Sequence, residues 1–333
     1  MRKEHLYKLN QLTGPAPVIR KVGALRRGME QTPVVWNGRF VMVESCHADE
    51  RCDRHHIQVR DLITDKVISE PFGADYYFAS AYAEGDTLYA FATCRYDERE
   101  MTMYTTEDET QWHDTRGGHT VRMFKTTDLI HWEEKDIITC PDKRLWNTSV
   151  CKGDGEYVMA IEVRFNEGCD NDNPHIGVPF TSFFARSTDL EHWEMLPDEY
   201  SYTPARYNAC PALRYTEGYY YMICLEALPA VRYAPYIYRT RDFLDWEVGF
   251  HNPFMMYDDN DRKVKEGHTI PEELQEKLLY GLNINCSDID LCEYEGKTHI
   301  YYANGDQMTY SFLCEAIYDG PLDQLLKAYF CER

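Results

Sequence analysis

The sequence lacks any long apolar run and any secretory leader. No stretch of the 333 residues approaches the ~20 consecutive apolar residues that a membrane-spanning helix needs. The N-terminal segment MRKEHLYKLNQLTG is charged and has no apolar core of the kind a signal peptide carries. We therefore expect a cytoplasmic protein with no membrane span.

Cysteine spacings typical of metal sites or disulfide frameworks are also missing. The chain has 12 cysteines but no CxxC pair, and several lie inside apolar runs such as VMVESC, YAFATC and YYYMICLE. The segment CHADERCDRHHIQ holds His47, Cys52, His55 and His56, but without the ligand spacing of a zinc site. The pattern predicts reduced cysteines that pack as small apolar residues, with no metal and no cofactor.

Positive charge is scarce. Lys and Arg number 35 against 56 Asp and Glu, for a net charge of −21, and the acidic residues are scattered rather than gathered in a tail. A nucleic-acid backbone or an anionic membrane needs a basic footprint. We expect neither as a partner, and the sequence leaves the oligomeric state open.

Aromatic residues, in contrast, are plentiful, with 26 Tyr and 14 Phe, and they recur in a pattern. Five times a short apolar run meets a turn that contains glycine and is followed by an aromatic or β-branched run. Each such segment predicts a β-hairpin in which the glycine supplies the positive φ of the turn. The segments are TPVVWNGRFVMVES (32–45), FASAYAEGDTLYAFAT (78–93), NTSVCKGDGEYVMAIE (147–162), ACPALRYTEGYYYMICLE (209–226) and DIDLCEYEGKTHIYYA (288–303).

A second repeat lies between the hairpins. KTTDLIHWEE (125–134), RSTDLEHWEM (186–195) and RTRDFLDWEV (239–248) each place Asp before a bulky apolar residue and then Trp. We interpret each as a turn in which Asp accepts hydrogen bonds from backbone amides, while Trp fills the gap between adjacent sheets. The residues are Asp128, Asp189 and Asp242 for the turns, and Trp132, Trp193 and Trp246 for the packing.

Together the repeats predict an all-β fold, a five-bladed β-propeller in a single domain. The expected blades span about 24–72, 73–140, 141–203, 204–256 and 284–333. The last unit lacks the Trp turn, so we expect the N-terminal stretch APVIRKVG to supply its missing outer strand. PEELQEKLLYG predicts a short helical insertion before blade five, and the C-terminal end predicts a second short helix.

The chain resembles the five-bladed propeller glycoside hydrolases and phosphorylases of families 43, 32, 117 and 130. The resemblance is based on the Asp and Trp turns, the EGYYYM hairpin and the number of predicted blades, which is five. The resemblance implies an active site at one end of a central channel and a small carbohydrate as substrate. It also implies that carboxylates on the innermost strands of different blades carry the chemistry, because glycosidic cleavage needs two.

Five carboxylates are candidate catalytic groups. Asp288 and Asp290 lie two apart on a predicted inner strand, so simple alternation puts them on one face, where like charges raise the pKa of one of them. Glu162 and Glu226 follow long apolar runs, where a buried carboxylate needs a partner or a purpose. Glu30 sits where the family 43 pattern places its blade-one Asp.

Candidate substrate-binding residues lie beside these positions. Two aromatic residues near strand starts can stack on a sugar ring, two asparagines occupy strand starts, and a set of basic residues can bind substrate or phosphate. These residues are Trp146, Tyr77, Asn147, Asn208, Arg95, Arg164, Arg206 and His175.

The standard catalytic triads do not transfer. NAC at 208–210 stands where the family 43 pattern has a Glu, and Ala209 precedes Cys210-Pro211 where the family 32 pattern has a Glu. The leading hypothesis is an exo-acting glycosidase for a short oligosaccharide or glycoside. The alternatives are a glycoside phosphorylase, in which phosphate replaces water, and a carbohydrate-binding propeller without catalysis.

Overall fold

The structure is a computed structural model that describes residues 15–46, 55–95, 118–165, 180–202, 207–228, 232–306 and 309–330. Within these ranges, twenty-two strands form five four-stranded antiparallel sheets and one two-stranded ribbon. The same ranges contain two short α-helices, α1 (Glu272–Tyr280) and α2 (Leu322–Ala328). The prediction of an all-β five-bladed propeller with a helical insertion and a C-terminal helix is confirmed. Among the described residues, no helix is long and apolar enough to cross a membrane.

The chain forms two compact units, residues Glu30–Leu213 and residues Met1–Met29 with Arg214–Arg333. The first of these, which we call the central unit, contains the first three sheets. Each sheet runs outward from an inner strand that is the first strand of one of the predicted hairpins. The strands are β2 (Gln31–Trp36), β3 (Arg39–Cys46), β4 (His56–Asp61) and β5 (Lys66–Val67); β7 (Ser80–Glu84), β8 (Thr87–Ala92), β10 (Thr120–Thr126) and β11 (Glu133–Thr139); and β12 (Lys143–Lys152), β13 (Tyr157–Phe165), β14 (Thr181–Ser187) and β15 (Trp193–Met195). The ribbon pairs β6 (Tyr76–Tyr77) with β9 (Cys94–Arg95).

The second unit, which we call the terminal unit, contains most of the fourth sheet and the whole fifth sheet. The fourth sheet has the order β16 (Ala209–Thr216), β17 (Tyr219–Leu228), β18 (Arg232–Thr240) and β19 (Trp246–Val248), and the unit boundary falls within β16. In the fifth sheet, β20 (Ser287–Tyr294) is followed by β21 (Lys297–Gly305) and β22 (Ser311–Tyr318). Its outer strand is β1 (Arg20–Arg27) from the N-terminal side, which pairs with β22.

The five hairpins form where the glycines allow them. Each turn glycine has a positive φ, which L-residues rarely adopt. The values are 73° at Gly38, 60° at Gly85, 82° at Gly155, 79° at Gly218 and 73° at Gly296. The apolar runs on either side become strand pairs whose side chains fill the buried clusters between sheets.

The Asp and Trp residues of the second repeat do what their pattern predicts. In the third sheet, Asp189 Oδ1 accepts hydrogen bonds from the amides of Glu191 and His192, at 2.9 and 2.8 Å. Trp193 donates to the carbonyl of Leu190 and packs against the buried cluster between the second and third sheets. Asp128 and Asp242 make the equivalent amide contacts in their own turns.

Candidate active site

The start of the inner strand has an unusual backbone in every sheet. Glu30, Phe78, Cys210 and Asp288 have positive φ values of 62°, 56°, 49° and 50°. None of them is glycine, so each such conformation costs of order 1–3 kcal/mol, and such residues cluster at functional sites. In the third sheet the register shifts instead, between Leu145 and Thr148, because one extra residue forms a β-bulge.

Glu162 is a buried candidate carboxylate beside the bulge of the third sheet. It lies near the end of β13, beside the bulge on β12, and only 3% of its surface is exposed. Its Oε2 atom accepts hydrogen bonds from Asn147 Nδ2 at 3.0 Å and from the backbone amide of Cys210 at 2.8 Å. Burial of a carboxylate requires such donors, and here they bring two predicted site residues, Glu162 and Asn147, together.

Asn208 extends the same polar group. Its side-chain oxygen accepts a hydrogen bond from Ser182 Oγ at 2.6 Å, and Ser182 is the cross-strand neighbour of Glu162 on β14. Asn208 is completely buried, so its amide acts within the protein. The structure therefore gives it a supporting position behind Glu162. Whether it contacts substrate stays a prediction.

The strand starts of the first three sheets meet at one end of the central unit. The amide of Ala79 donates to Ser45 Oγ at 3.1 Å, which links the start of β7 to the end of β3. Ser80 Oγ and Thr148 Oγ1 lie 2.6 Å apart and link the start of β7 to the middle of β12, just after its bulge. Glu30, 8% exposed, immediately precedes β2 at this end. The central unit thus presents two candidate acids, Glu30 and Glu162, at the same end.

A third buried glutamate lies at this level, but a cation neutralises it. Glu44, on β3, is paired with Gln31 in register and contacts Arg60 Nη2 at 2.8 Å. Gln58 Nε2 donates to the same carboxylate at 2.5 Å. The contacts of Glu44 are those of a structural ion pair.

An aromatic wall borders Glu162. Trp146, next to Asn147 on the bulge, packs on Phe78 and Phe180 with ring centroids 5.1 and 5.3 Å apart, and Phe180 continues to Tyr207 at 5.7 Å. Trp146 is only 5% exposed, so little of its ring is open for the sugar stacking that the sequence suggested. Phe180 and Tyr207 are half-buried and therefore more exposed than Trp146. Sequence reasoning missed them because they belong to no hairpin or turn motif.

In the terminal unit, a bulge separates Asp288 from Asp290. The register shifts between Ser287 and Asp290, and Asp288 adopts a positive φ, so the simple alternation behind the same-face prediction does not hold there. Asp290 accepts hydrogen bonds from the guanidinium of Arg214 and from the amide of Leu291. Asp288 accepts one from Ser287 Oγ at 2.5 Å. The two carboxylates are both buried, Asp290 against Arg214 and Asp288 against Ser287.

Glu226 lies in the same unit, near the end of β17. It is 2% exposed and accepts a hydrogen bond from the hydroxyl of Tyr238 on the neighbouring strand. A tyrosine hydroxyl is a neutral donor that can stabilise a buried carboxylate. Whether Glu226, Asp288 or Asp290 has a catalytic role stays a prediction.

The remaining predicted residues are described in part or not at all. For Tyr77, Arg95 and Arg164 only the backbone is described, on β6, β9 and β13. His175 and Arg206 lie outside the described residues, as do His47 and Cys52. Within the described ranges, no group of three or more His, Cys, Asp or Glu side chains is arranged to hold a metal ion.

Comparison by sequence finds nothing: no protein-family model and no curated protein matches the chain. Comparison by structure does. A Bombyx mori family GH32 β-fructofuranosidase in complex with sucrose has a TM-score of 0.56 at 11% identity, over 93% of this chain. A β-1,2-mannobiose phosphorylase from Listeria innocua, solved with β-1,2-mannobiose, has a TM-score of 0.51 at 12% identity. A glycosyl hydrolase from Bacteroides ovatus has a TM-score of 0.54, also at 12%.

The fold is that of the propeller glycoside hydrolases and phosphorylases. The chain spans 64% of the length of the fructofuranosidase, 93% of the phosphorylase and 91% of the Bacteroides ovatus hydrolase. At 11–12% identity, these matches establish the architecture, and the chemistry has to be argued from the residues of this chain.

Proposed function

We propose that the protein cleaves the glycosidic bond of a short oligosaccharide or glycoside, with Glu162 and Glu30 as the pair of carboxylates. The observation that carries the proposal is the setting of Glu162. It is a buried carboxylate held by neutral N–H donors at the end of the central unit where Glu30 also lies.

The reaction requires the two acids in different protonation states. One carboxyl group gives its proton to the leaving oxygen as the glycosidic bond breaks. The other, ionised, either activates a water molecule or attacks the anomeric carbon itself. Glu162, with two N–H donors on one oxygen, fits the ionised partner, and Glu30 is the candidate for the protonated one.

The sequence supports an exo-acting enzyme that works in the cytoplasm. Long polar segments connect the second and third strands of each of the first three sheets, and rim loops of this length would limit the site to the end of a sugar chain. None of the eight cysteines whose side chains are described forms a disulfide, as a reducing compartment favours. A small carbohydrate is the proposed partner.

Phosphate is the alternative acceptor. The Listeria innocua phosphorylase matches along 93% of both chains, whereas the fructofuranosidase is a longer protein. If Arg95, Arg164, Arg206 or His175 places positive charge beside Glu30, phosphate could take the place of water.

The test is release of aryl leaving groups from α- and β-glycosides of arabinose, xylose, fructose, galactose, glucose and mannose, with and without phosphate. Release that does not depend on phosphate and is lost in Glu162→Gln supports the hydrolase. Release that requires phosphate replaces it with the phosphorylase. Sugar binding by calorimetry without turnover of any substrate would contradict both and indicate a binding propeller.

A further inference from the structure

The bulge on β12 determines the position of Asn147 beside Glu162. Along a regular β12, side chains would alternate between faces. The extra residue between Leu145 and Thr148 breaks that alternation beside Glu162 on β13. As a result Asn147 Nδ2 lies 3.0 Å from Glu162 Oε2 and 3.4 Å from Cys210 Sγ.

The second donor to Glu162 also depends on an irregular backbone. Cys210 has a φ of 49°, and its amide lies 2.8 Å from Glu162 Oε2. A backbone amide and a side-chain NH₂ group can only donate in these contacts. Oε2 must therefore act as an acceptor, and hydrogen bonds donated to a carboxyl group favour its charged form.

We propose that Asn147 is a positioning residue that holds Glu162 ionised and fixes its orientation, so that Glu162 acts on the sugar as the base or nucleophile and not as the proton donor. The inference rests on the proposed function for its final clause only. The bulge places Asn147, and Asn147 and the Cys210 amide together fix Oε2.

The first blade provides a matched control. Glu44 on β3 lies at the place in blade one that Glu162 occupies on β13 in blade three. A side-chain amide also donates to it, because Gln58 Nε2 lies 2.5 Å from Glu44. Glu44, however, is neutralised by Arg60. Substitution of either amide removes the same kind of bond, but only Asn147 acts on a proposed catalytic group.

The experiment measures the protonation of Glu162 directly. Protein labelled with ¹³C at the Glu side-chain carboxyl carbon is titrated by NMR, and the resonance of Glu162 is assigned by its loss in Glu162→Gln. In Asn147→Leu we expect the midpoint to rise by about one pH unit, because the anion loses a donor. In Gln58→Leu the Glu162 midpoint should stay where it is in the wild type. Asn147→Ser serves as a second variant if Asn147→Leu does not fold.

Kinetic measurements distinguish the positioning role of Asn147 from the role of Glu162 as base or nucleophile. If turnover is found, the acidic limb of kcat/KM in Asn147→Leu should move to higher pH with the NMR midpoint, and kcat should fall more than KM changes. An unmoved midpoint overturns the positioning role. A raised midpoint with no movement of the acidic limb shows that Glu162 is not the base. A raised midpoint without turnover of any glycoside supports the positioning role and contradicts the proposed function.

Discussion

Blades one and three bury a glutamate at the same place on their second strand, with different surroundings. Glu44 lies opposite Gln31 on a regular inner strand and contacts the guanidinium of Arg60. Glu162 lies opposite a bulge and accepts from the Asn147 amide and the Cys210 backbone. An arginine neutralises a carboxylate and fixes it in a structural role. The two N–H donors that contact Glu162 orient the carboxylate and carry no positive charge themselves. The two blades thus place a buried glutamate at one scaffold position among different hydrogen-bond donors.

The largest expected difference between the two glutamates is in turnover. Glu162→Gln removes the charge that the reaction needs, and we expect kcat to fall by about 10²–10⁴-fold. Glu44→Gln is the matched substitution in blade one and should change kcat little. The measurement is steady-state kinetics on whichever glycoside is cleaved. An equal fall of kcat in Glu162→Gln and Glu44→Gln would contradict the different roles assigned to the two glutamates.

The free energy of unfolding should show the reverse order. Arg60→Met leaves Glu44 buried without its cation, and removal of one partner of a buried pair costs about 3 kcal/mol. Asn147→Leu removes a neutral donor and should cost about 1–2 kcal/mol. Urea unfolding measures both. The double variant Glu44→Gln with Arg60→Met should recover much of the loss, and a double variant as unstable as Arg60→Met alone would show that the ion pair is not the cause.

The turns at the outer edges of the same two blades test a smaller effect. The hydrogen bond from His192 and the amides of the turn lower the pKa of Asp189. Burial alone would raise the pKa of Asp61 in blade one, but the amide of Thr64 and the Arg39 guanidinium lower it. We expect Asp189→Asn and Asp61→Asn each to cost less than about 1 kcal/mol at pH 7, because the Asn oxygen still accepts from the turn amides and only the negative charge is lost.

The pH dependence of this effect has a definite sign. Both carboxylates have a folded-state pKa below the ordinary value near 4, so their stabilisation is present above pH 4 and is lost as the pH falls through the lower folded pKa. The difference in unfolding free energy between the wild type and each Asn variant should therefore shrink below pH 4. A difference that stays constant down to pH 2 would show that the carboxylate charge plays no part.

The smallest effect is expected at the surface between the second and third sheets. Lys125 Nζ lies 2.6 Å from Glu191 Oε1, a short ion-pair contact like that of Arg60, but both side chains are partly exposed. Water and salt screen such pairs, and Lys125→Met should cost about 0.5 kcal/mol or less. Unfolding in 0.1 and 1 M salt measures it. A larger loss of unfolding free energy that persists at high salt would contradict the expected difference between this exposed ion pair and the buried pair of Arg60 and Glu44.

The fold could be predicted because its signals are local. Turn glycines such as Gly38 and Gly155 need a positive φ, and Asp189 with Trp193 defines a turn and its packing within a few residues. These requirements do not depend on distant parts of the chain, so their repetition counts the blades directly.

The site could be predicted only in part because its geometry depends on irregular backbone. Glu162 after its apolar run and the polar residue Asn147 before the third hairpin are visible in the sequence, although β12 begins four residues earlier, at Lys143. The bulge that joins them is not, and the same applies to the bulge that separates Asp288 from Asp290. The partnership of Asp290 with Arg214 links residues 76 positions apart, beyond the reach of any local pattern. The departure from the family patterns at Ala209–Cys210 gave no hint that the backbone amide of Cys210 would donate to Glu162.

The left-handed backbone at the inner strand starts has a consequence for how this protein can change. The conformation is imposed by the strand pairing around it, because residues as different as Glu30, Phe78, Cys210 and Asp288 all adopt it. An exchange of side chain at these positions therefore alters the chemistry offered to a ligand while the sheet stays as it is. A new specificity can be reached in this scaffold by single substitutions at a few fixed places, and laboratory evolution should find its productive variants there.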